Sequence, residues 1–294
     1  MSYHIHGWSK KELSLPKGFN RSSSEDSFKI SIVIPTLNQA ETIEDTLLTI
    51  LNQDYKDYEI IIMDGGSTDA TLELLHKYSP WITHLISGQD KGQSNAINNG
   101  FKLASGDIYA WINSDDYYMP GAFRKVVEIF TQDLNIDVVV GAGNIVSKEN
   151  VLLKFIASME MTRENLLQWD SDKWIMQQSC FWTSRIWNES GGVDESLNLL
   201  MDLDLWFRFA ELGQTAALEN ILGVMRYYPE AKTVSQKTKV KEELGYIYAK
   251  NDALSQVRGV IRDLSHTNHS LVDGSEKREQ LRAVKLIRKL GIRI

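Results

Sequence analysis

Residues 29–64, KISIVIPTLNQAETIEDTLLTILNQDYKDYEIIIMD, hold two apolar, β-branched runs, KISIVIP and YEIIIMD, separated by a polar turn and a helical segment. Ile43, Leu47, Ile50 and Leu51 recur three and four residues apart in the middle piece, the spacing that gives a helix one apolar face. Neither run alternates apolar with polar residues, so both faces of each strand need cover, as in a parallel sheet flanked by helices. The alternation continues with DATLELLHKY (69–78), ITHLIS (82–87), QSNAINNGFKLA (93–104), DIYAWIN (107–113), PGAFRKVVEIFTQ (120–132) and IDVVVGAG (136–143). This order predicts an α/β fold with a mainly parallel central sheet and helices on both faces.

In such sheets ligands bind beyond the carboxyl ends of the strands. A polar cluster sits at each predicted end: PTLNQAE (35–41), DGGSTD (64–69), GQDKGQSN (88–95) and NSDD (113–116). Helix caps and turns also gather Asp, Asn, Ser and Gly, which is one reading of Thr68, Asp69 and Ser94. Asp64, Asp90, Asp115 and Asp116 need another, because four carboxylates at one sheet edge repel unless a cation or ligand hydroxyls compensate them. Capping the helix expected near Pro120 is the structural alternative for Asp115 or Asp116. Neither a GxGxxG fingerprint nor a P-loop follows any strand. A hard cation, Mn²⁺ or Mg²⁺, at Asp115 or Asp116 suits the carboxylate oxygens available.

The composition, 43% hydrophobic and 24% charged over 294 residues, is that of a globular protein. No apolar run approaches the roughly 18–20 residues of a membrane-spanning helix. The opening MSYHIHGWSKKELSLPKG lacks the apolar segment of a leader peptide, and the lone Cys180 excludes an intrachain disulfide, so a cytoplasmic chain is expected. Residues 1–28, with the polar run NRSSSEDS (20–27), read as an N-terminal extension outside the core. Net charge is −7, but residues 277–294 carry seven Lys and Arg against one Glu. Nucleic acid is not an expected partner, since no aromatics interleave these basic residues. On a helical projection the tail EKREQLRAVKLIRKLGIRI (276–294) places Val284, Ile287 and Leu290 opposite Arg282, Lys285 and Arg288, a pattern suited to an anionic membrane surface or to packing on the protein.

Residues 31–75 followed by DKGQSNAINNGFKLASGDIYAWINSDDYYMPGAF (90–123) resemble the nucleotide-sugar-binding half of inverting family 2 glycosyltransferases with the GT-A fold. The likeness runs from residue 30 to about 225. It implies a GT-A domain over 29–230, with a donor half at 29–135 and an acceptor half at 136–230, and a C-terminal helical region at 231–294. It further implies that Pro35, Thr36, Asn38 and Glu41 lie against the nucleotide. Asp64 would then accept a hydrogen bond from the base, and Asp90 would lie near base and ribose with Lys91 and Gly92 beside it. The family's DxD element falls on Asn113, Ser114 and Asp115, extended by Asp116, with Asn113 replacing the first Asp. Asp115 is the first choice of metal ligand, with Asp116 the ligand or its partner.

Beyond residue 136 the simple alternation stops, and WDSDKWIMQQSCFWTSRIWNESGGVDE (169–195) reads as cleft wall, each Trp being core or sugar platform. In NLLMDLDLWFRFAELG (198–213), Leu205, Phe209 and Leu212 share a helical face, and Asp204 reads as a cap or partner of Arg208. The resemblance makes Asp202 the general base, although Met201 stands where the family carries Glu; the structural alternative is an N-cap. A carboxylate of ordinary pKa is expected to suffice. The expected reaction is single displacement from a nucleoside-diphosphate donor, a UDP-sugar, to a glycan or lipid-linked hydroxyl, in cell-surface glycan synthesis on or near the inner face of a membrane. Asn113 and Met201 also admit a nucleotide-sugar-binding protein without catalysis. A sugar-1-phosphate nucleotidyltransferase fits less well, because PTLNQAET (35–42) has neither glycine nor base.

Overall fold

Strand β1 (Ile30–Thr36) lies between β2 (Tyr58–Asp64) and β4 (Ile108–Trp111), parallel to both, and β3 (His84–Ser87) extends β2 in the same sense. The computed structural model describes residues 5–8, 13, 28–169 and 173–269. Side chains alternate across this parallel unit as the strand period requires. Ile32, Ile34, Ile60, Ile62, Ile108 and Ala110 pack with α1 (Ile43–Leu51), α2 (Thr71–Lys77) and α4 (Ala122–Gln132). Val33, Ile61, Met63, Tyr109 and Trp111 belong to a second core cluster with α3 (Gln93–Phe101). Burial on both faces is why β1 and β2 carry almost no polar alternation. β3 is the edge strand, and Ile86 on it is 47% exposed.

The other half of the sheet is mixed. β5 (Tyr117–Tyr118) and β6 (Ile136–Ser147) precede β7 (Leu152–Ile156), and the short helix α5 (Arg163–Leu166) follows. Next come β8 (Cys180–Thr183), α6 (Ser184–Ser190), α7 (Met201–Leu212) and β9 (Gln214–Tyr227). Among the described residues the sheet order is β3-β2-β1-β4-β8-β6-β9-β5, with β7 on β6. β8 runs antiparallel to β4 and β6, while β9 runs parallel to β6 and ends in an antiparallel pair with β5. Pairing with β5 carries the end of β9 to the turn holding Asp115 and Asp116.

Helices α8 (Lys232–Ser235), α9 (Lys237–Lys250) and α10 (Leu254–His269) complete the described chain. Leu244, Ile247, Tyr248, Val257 and Val260 join the cluster that covers α7, so α9 and α10 extend the main core. One expectation changes at the N-terminus. Ile5 and Trp8 are buried against Tyr117, Val146 and Val224, and the Trp8 indole donates to the Tyr118 carbonyl at 2.8 Å, so part of 1–28 belongs to a core cluster. No helix of the described residues is long and apolar enough to cross a membrane. The expected basic tail at 277–294 lies outside the described residues.

Candidate active site

Because β1, β2 and β4 are parallel neighbours, the loops after Thr36, Asp64 and Ile112 leave one sheet edge together. Asp64 is buried, and its carboxylate accepts from the Gly66 amide at 3.2 Å, the Ser67 amide at 3.1 Å, the Ser87 hydroxyl at 2.6 Å and the Ser67 hydroxyl. Asn38, at φ +52°, holds the β1 loop to this one: its amide oxygen accepts from Thr68 N at 2.8 Å, and its backbone N–H donates to Ser67 Oγ at 2.8 Å. Asp69 accepts from Thr71 and Ala40, a local turn role just before Ala70, the N-cap position of α2. Thr36 differs from its neighbours. Its Oγ1 is buried at the end of β1 with no hydrogen-bond partner.

Asp90 lies beside the same loop. Its Oδ1 accepts from Gly92 N at 2.7 Å, and a Cβ on Gly65 would come 3.0 Å from its Oδ2. Gly92 sits at φ +110° as the N-cap of α3, a conformation side-chain-bearing residues avoid. Lys91 is exposed, Pro35 is buried in β1 beside Met63, and Glu41 forms an exposed ion pair with Lys148 at 2.9 Å.

The adjacent carboxylates have opposite surroundings. Asp116 is 2% exposed; its Oδ1 accepts from Arg226 N at 2.9 Å, and its Oδ2 accepts from Gln178 Nε2 at 2.6 Å and Asn113 Nδ2 at 3.3 Å. Burial, then the neighbouring Asp115 charge, raises its pKa. Asp115 is half-exposed, and its Oδ2 accepts from the Tyr228 hydroxyl at 2.6 Å. Arg226, itself buried, donates to the Asp115 carbonyl at 3.0 Å and pairs with Asp45. The counter-charge therefore arrives from β9, 110 residues from Asp116 in sequence. Ser114 is buried with its carbonyl accepting from Thr42 Oγ1 at 2.9 Å, and Asn113 Oδ1 accepts from Gln93 Nε2 at 2.7 Å. Neither aspartate caps a helix, since α4 starts at Ala122 behind Gly121.

These surroundings decide which group fits a hard cation. Asp115 offers a partly open carboxylate, the donor such ions take. Asp116 fits poorly, because both of its oxygens already accept internal hydrogen bonds. No cluster of three or more His, Cys, Asp or Glu suited to a metal occurs among the described residues, so protein ligation at this edge would rest on one or two carboxylates.

Asp202 is the second residue of α7, behind the N-cap position Leu200. Its Oδ1 accepts from Leu203 N at 2.8 Å, so it does not fill the N-cap. Part of its surface stays accessible, yet apolar packing removes most water from its carboxyl and pushes the pKa up to about 6, with Glu243 adding to the rise. That departs from the ordinary pKa expected. Asp204 pairs with Arg208 at 2.8 Å, as its spacing suggested, and also with Lys250 at 2.7 Å. Leu212 leaves the predicted apolar face, being 41% exposed. Trp182 and Trp187 are core residues, packed with Trp111, Phe101 and each other, whereas Trp169 and Trp174 are only half-buried. Arg226, Gln178, Tyr228 and Glu243 escaped the sequence reading. No local spacing marks them; Arg226 alone carried a signal, as a cation directly after the apolar run at residues 221–225.

The sheet and its carboxylate edge define a GT-A glycosyltransferase fold, and the chain belongs to glycosyl transferase family 2, whose family model matches residues 31–192. It is similar to chondroitin synthase of Escherichia coli, 29% identical over 189 residues, covering 63% of this chain and 27% of that protein. It is 25% identical over 254 residues to the uncharacterized glycosyltransferase RT0329 of Rickettsia typhi, covering 84% of this chain and 76% of the relative. The UDP-Glc:alpha-D-GlcNAc-diphosphoundecaprenol beta-1,3-glucosyltransferase WfgD of Escherichia coli is 27% identical over 144 residues, 49% of this chain and 56% of that one. The chain thus spans about a quarter of the chondroitin synthase and three quarters of the Rickettsia protein. Among solved structures, S. aureus TarS 1–349 in complex with UDP-GlcNAc has a TM-score of 0.68 at 17% identity, covering 89% of this chain and 81% of that one. A Pyrobaculum calidifontis mannosyltransferase in complex with GDP-Man and Mn²⁺ has a TM-score of 0.58 at 16% identity, with coverage of 95% and 85%. At these identities the likeness establishes the fold.

Proposed function

We propose that the chain transfers a sugar from a UDP-sugar to a hydroxyl acceptor by one displacement that inverts the anomeric centre, with Asp202 as base. The observation that carries this reading is the place of Asp202, a partly exposed residue in the first turn of α7 whose carboxyl is packed so that its pKa is pushed up to about 6. A base works best when its pKa lies near the working pH, where it is ionised yet still proton-hungry. Asp202 takes the acceptor proton as the bond to the anomeric carbon forms, and no covalent intermediate is required. Residues 29–135 hold the donor: Asp64 and Asp90 with Pro35, Thr36, Asn38, Lys91 and Gly92 orient base and ribose. Mn²⁺ or Mg²⁺ held by Asp115 would act as a Lewis acid toward the departing diphosphate. Asn113, Ser114 and Asp116 fix the turn that presents Asp115, while Glu41, tied to Lys148, borders the loop.

Residues 136–230 present the acceptor. A glycan or lipid-linked acceptor is supported by what chondroitin synthase and WfgD are named for, and Trp169 and Trp174 offer half-buried rings suited to a sugar face. The test is turnover of a nucleotide-sugar panel with Mn²⁺ and then with EDTA. EDTA is expected to abolish turnover and added Mn²⁺ to restore it, and Asp115→Ala is expected to weaken donor binding in Mn²⁺ buffer. Full activity in EDTA would contradict the metal's role, and tight donor binding without any turnover would favour a non-catalytic binder.

A further inference from the structure

Helices α7 and α9 both lie beyond the family match, and a side chain of α9 reaches the start of α7, the helix that carries Asp202. Glu243 is 8% exposed. A carboxylate that deeply placed needs partners, and it finds three successive backbone amides. Its Oε1 accepts from Asn198 N at 3.0 Å, and its Oε2 accepts from Leu199 N at 2.8 Å and Leu200 N at 3.0 Å. Leu200 is the N-cap position of α7, so Glu243 closes off the chain just where that helix begins.

The same loop is held on its other side by α3. Ser94 Oγ donates to the Leu197 carbonyl at 2.8 Å, Asn98 Nδ2 to the Val193 carbonyl at 2.9 Å, and Asn95 Nδ2 to Glu195 at 3.0 Å. Residues 193–200 are thus pinned between the helix that starts at the donor loop and a helix from the C-terminal region. Asp202 follows Leu200 by two residues, within the first turn of α7. Any freedom at Leu199 and Leu200 would pass directly to its carboxylate.

We infer that Glu243 is a positioning residue for Asp202, fixing the first turn of α7 from the C-terminal helix α9 and setting a second negative charge near the base. The inference rests on Asp202 being the base. The charged or titratable groups that face Asp202 are Glu243 from α9 and Cys180 from β8, and the Leu203 amide faces it from its own helix. Removing the Glu243 charge while keeping its shape should make Asp202 easier to ionise.

The experiment uses the full chain with Glu243→Gln, Glu243→Ala, Asp202→Asn, and Asp202→Asn combined with Glu243→Gln. Turnover, donor KM, thermal midpoint and the pH profile of kcat are measured for each. Glu243→Ala is expected to lower kcat by about 10²-fold, the usual effect of a small misplacement of a catalytic group, with donor KM little changed. Glu243→Gln should lose less and should move the acid limb of kcat to lower pH. Adding Glu243→Gln to Asp202→Asn should cost no further turnover. If Asp202→Asn is inactive while Glu243→Gln keeps wild-type kcat and an unmoved acid limb, the inference is overturned. A further loss on top of Asp202→Asn overturns it too. Near-normal turnover of Asp202→Asn instead overturns the reading of the base. Should Glu243→Ala fail to fold, the acid limb of Glu243→Gln decides alone.

Discussion

Asp202→Asn is expected to lower turnover by about 10²–10⁴-fold, the size of a general-base contribution, while donor binding stays near that of the unaltered chain. Asparagine keeps the shape but cannot take the acceptor proton. The pH dependence follows from the raised pKa. Asp202 is ionised above about pH 6 and protonated below it, so kcat of the unaltered chain should fall as pH drops through about 6. The stability effect has the opposite sense. With the folded pKa raised above the unfolded value near 3.8, ionisation costs more in the folded chain, and stability is lost as pH rises from about 4 through about 6. Asp202→Asn removes that loss, so its thermal midpoint at pH 7 should equal or exceed the original. An asparagine variant with near-normal turnover and a lowered midpoint would make Asp202 a packing residue.

Arg226→Met is the second large effect. Arg226 is 4% exposed; its guanidinium pairs with the buried Asp45 and holds the Asp115 carbonyl, and its backbone amide serves Asp116. Methionine fills part of the space but strands Asp45, whose pKa burial already raises and Arg226 pulls down. Breaking a buried pair from one side costs about 3–5 kcal/mol, read here from urea unfolding of the two proteins. Combining it with Asp45→Asn should recover part of the loss, because the stranded charge is gone. The Asp115 turn should loosen as well, weakening Mn²⁺-dependent donor binding. A loss under about 0.5 kcal/mol, the range of ordinary surface changes, would show that the pair is not structural.

The parallel unit was legible because its pattern is local. Ile30–Ile34 and Ile60–Ile62 are covered on both faces, and Ile43, Leu47 and Ile50 turn one helical face to them. The candidate loops were legible for the same reason, since polar clusters end each apolar run. The mixed half was not. β8 enters between β4 and β6 although it follows both in sequence, and a four-residue apolar strand carries no mark of its partners. Ile5 and Trp8 sit in a short polar-flanked stretch whose burial depends on Tyr117, Val146 and Val224, far along the chain. The same distance hid what holds the site. Asp116 owes its setting to Gln178 and Arg226, and Asp202 lies next to a loop fixed by Glu243, contacts made only when the sheet and the C-terminal helices close. The pKa of Asp202 was likewise out of reach, because desolvation is a property of the packed environment and not of the residue.

The central claim is a single displacement at the anomeric carbon with Asp202 as base. It is tested most directly by proton NMR of the first product formed when the purified chain turns over an α-linked UDP-sugar with Mn²⁺ and an acceptor. The account predicts a β-configured product; an α-configured product would contradict it.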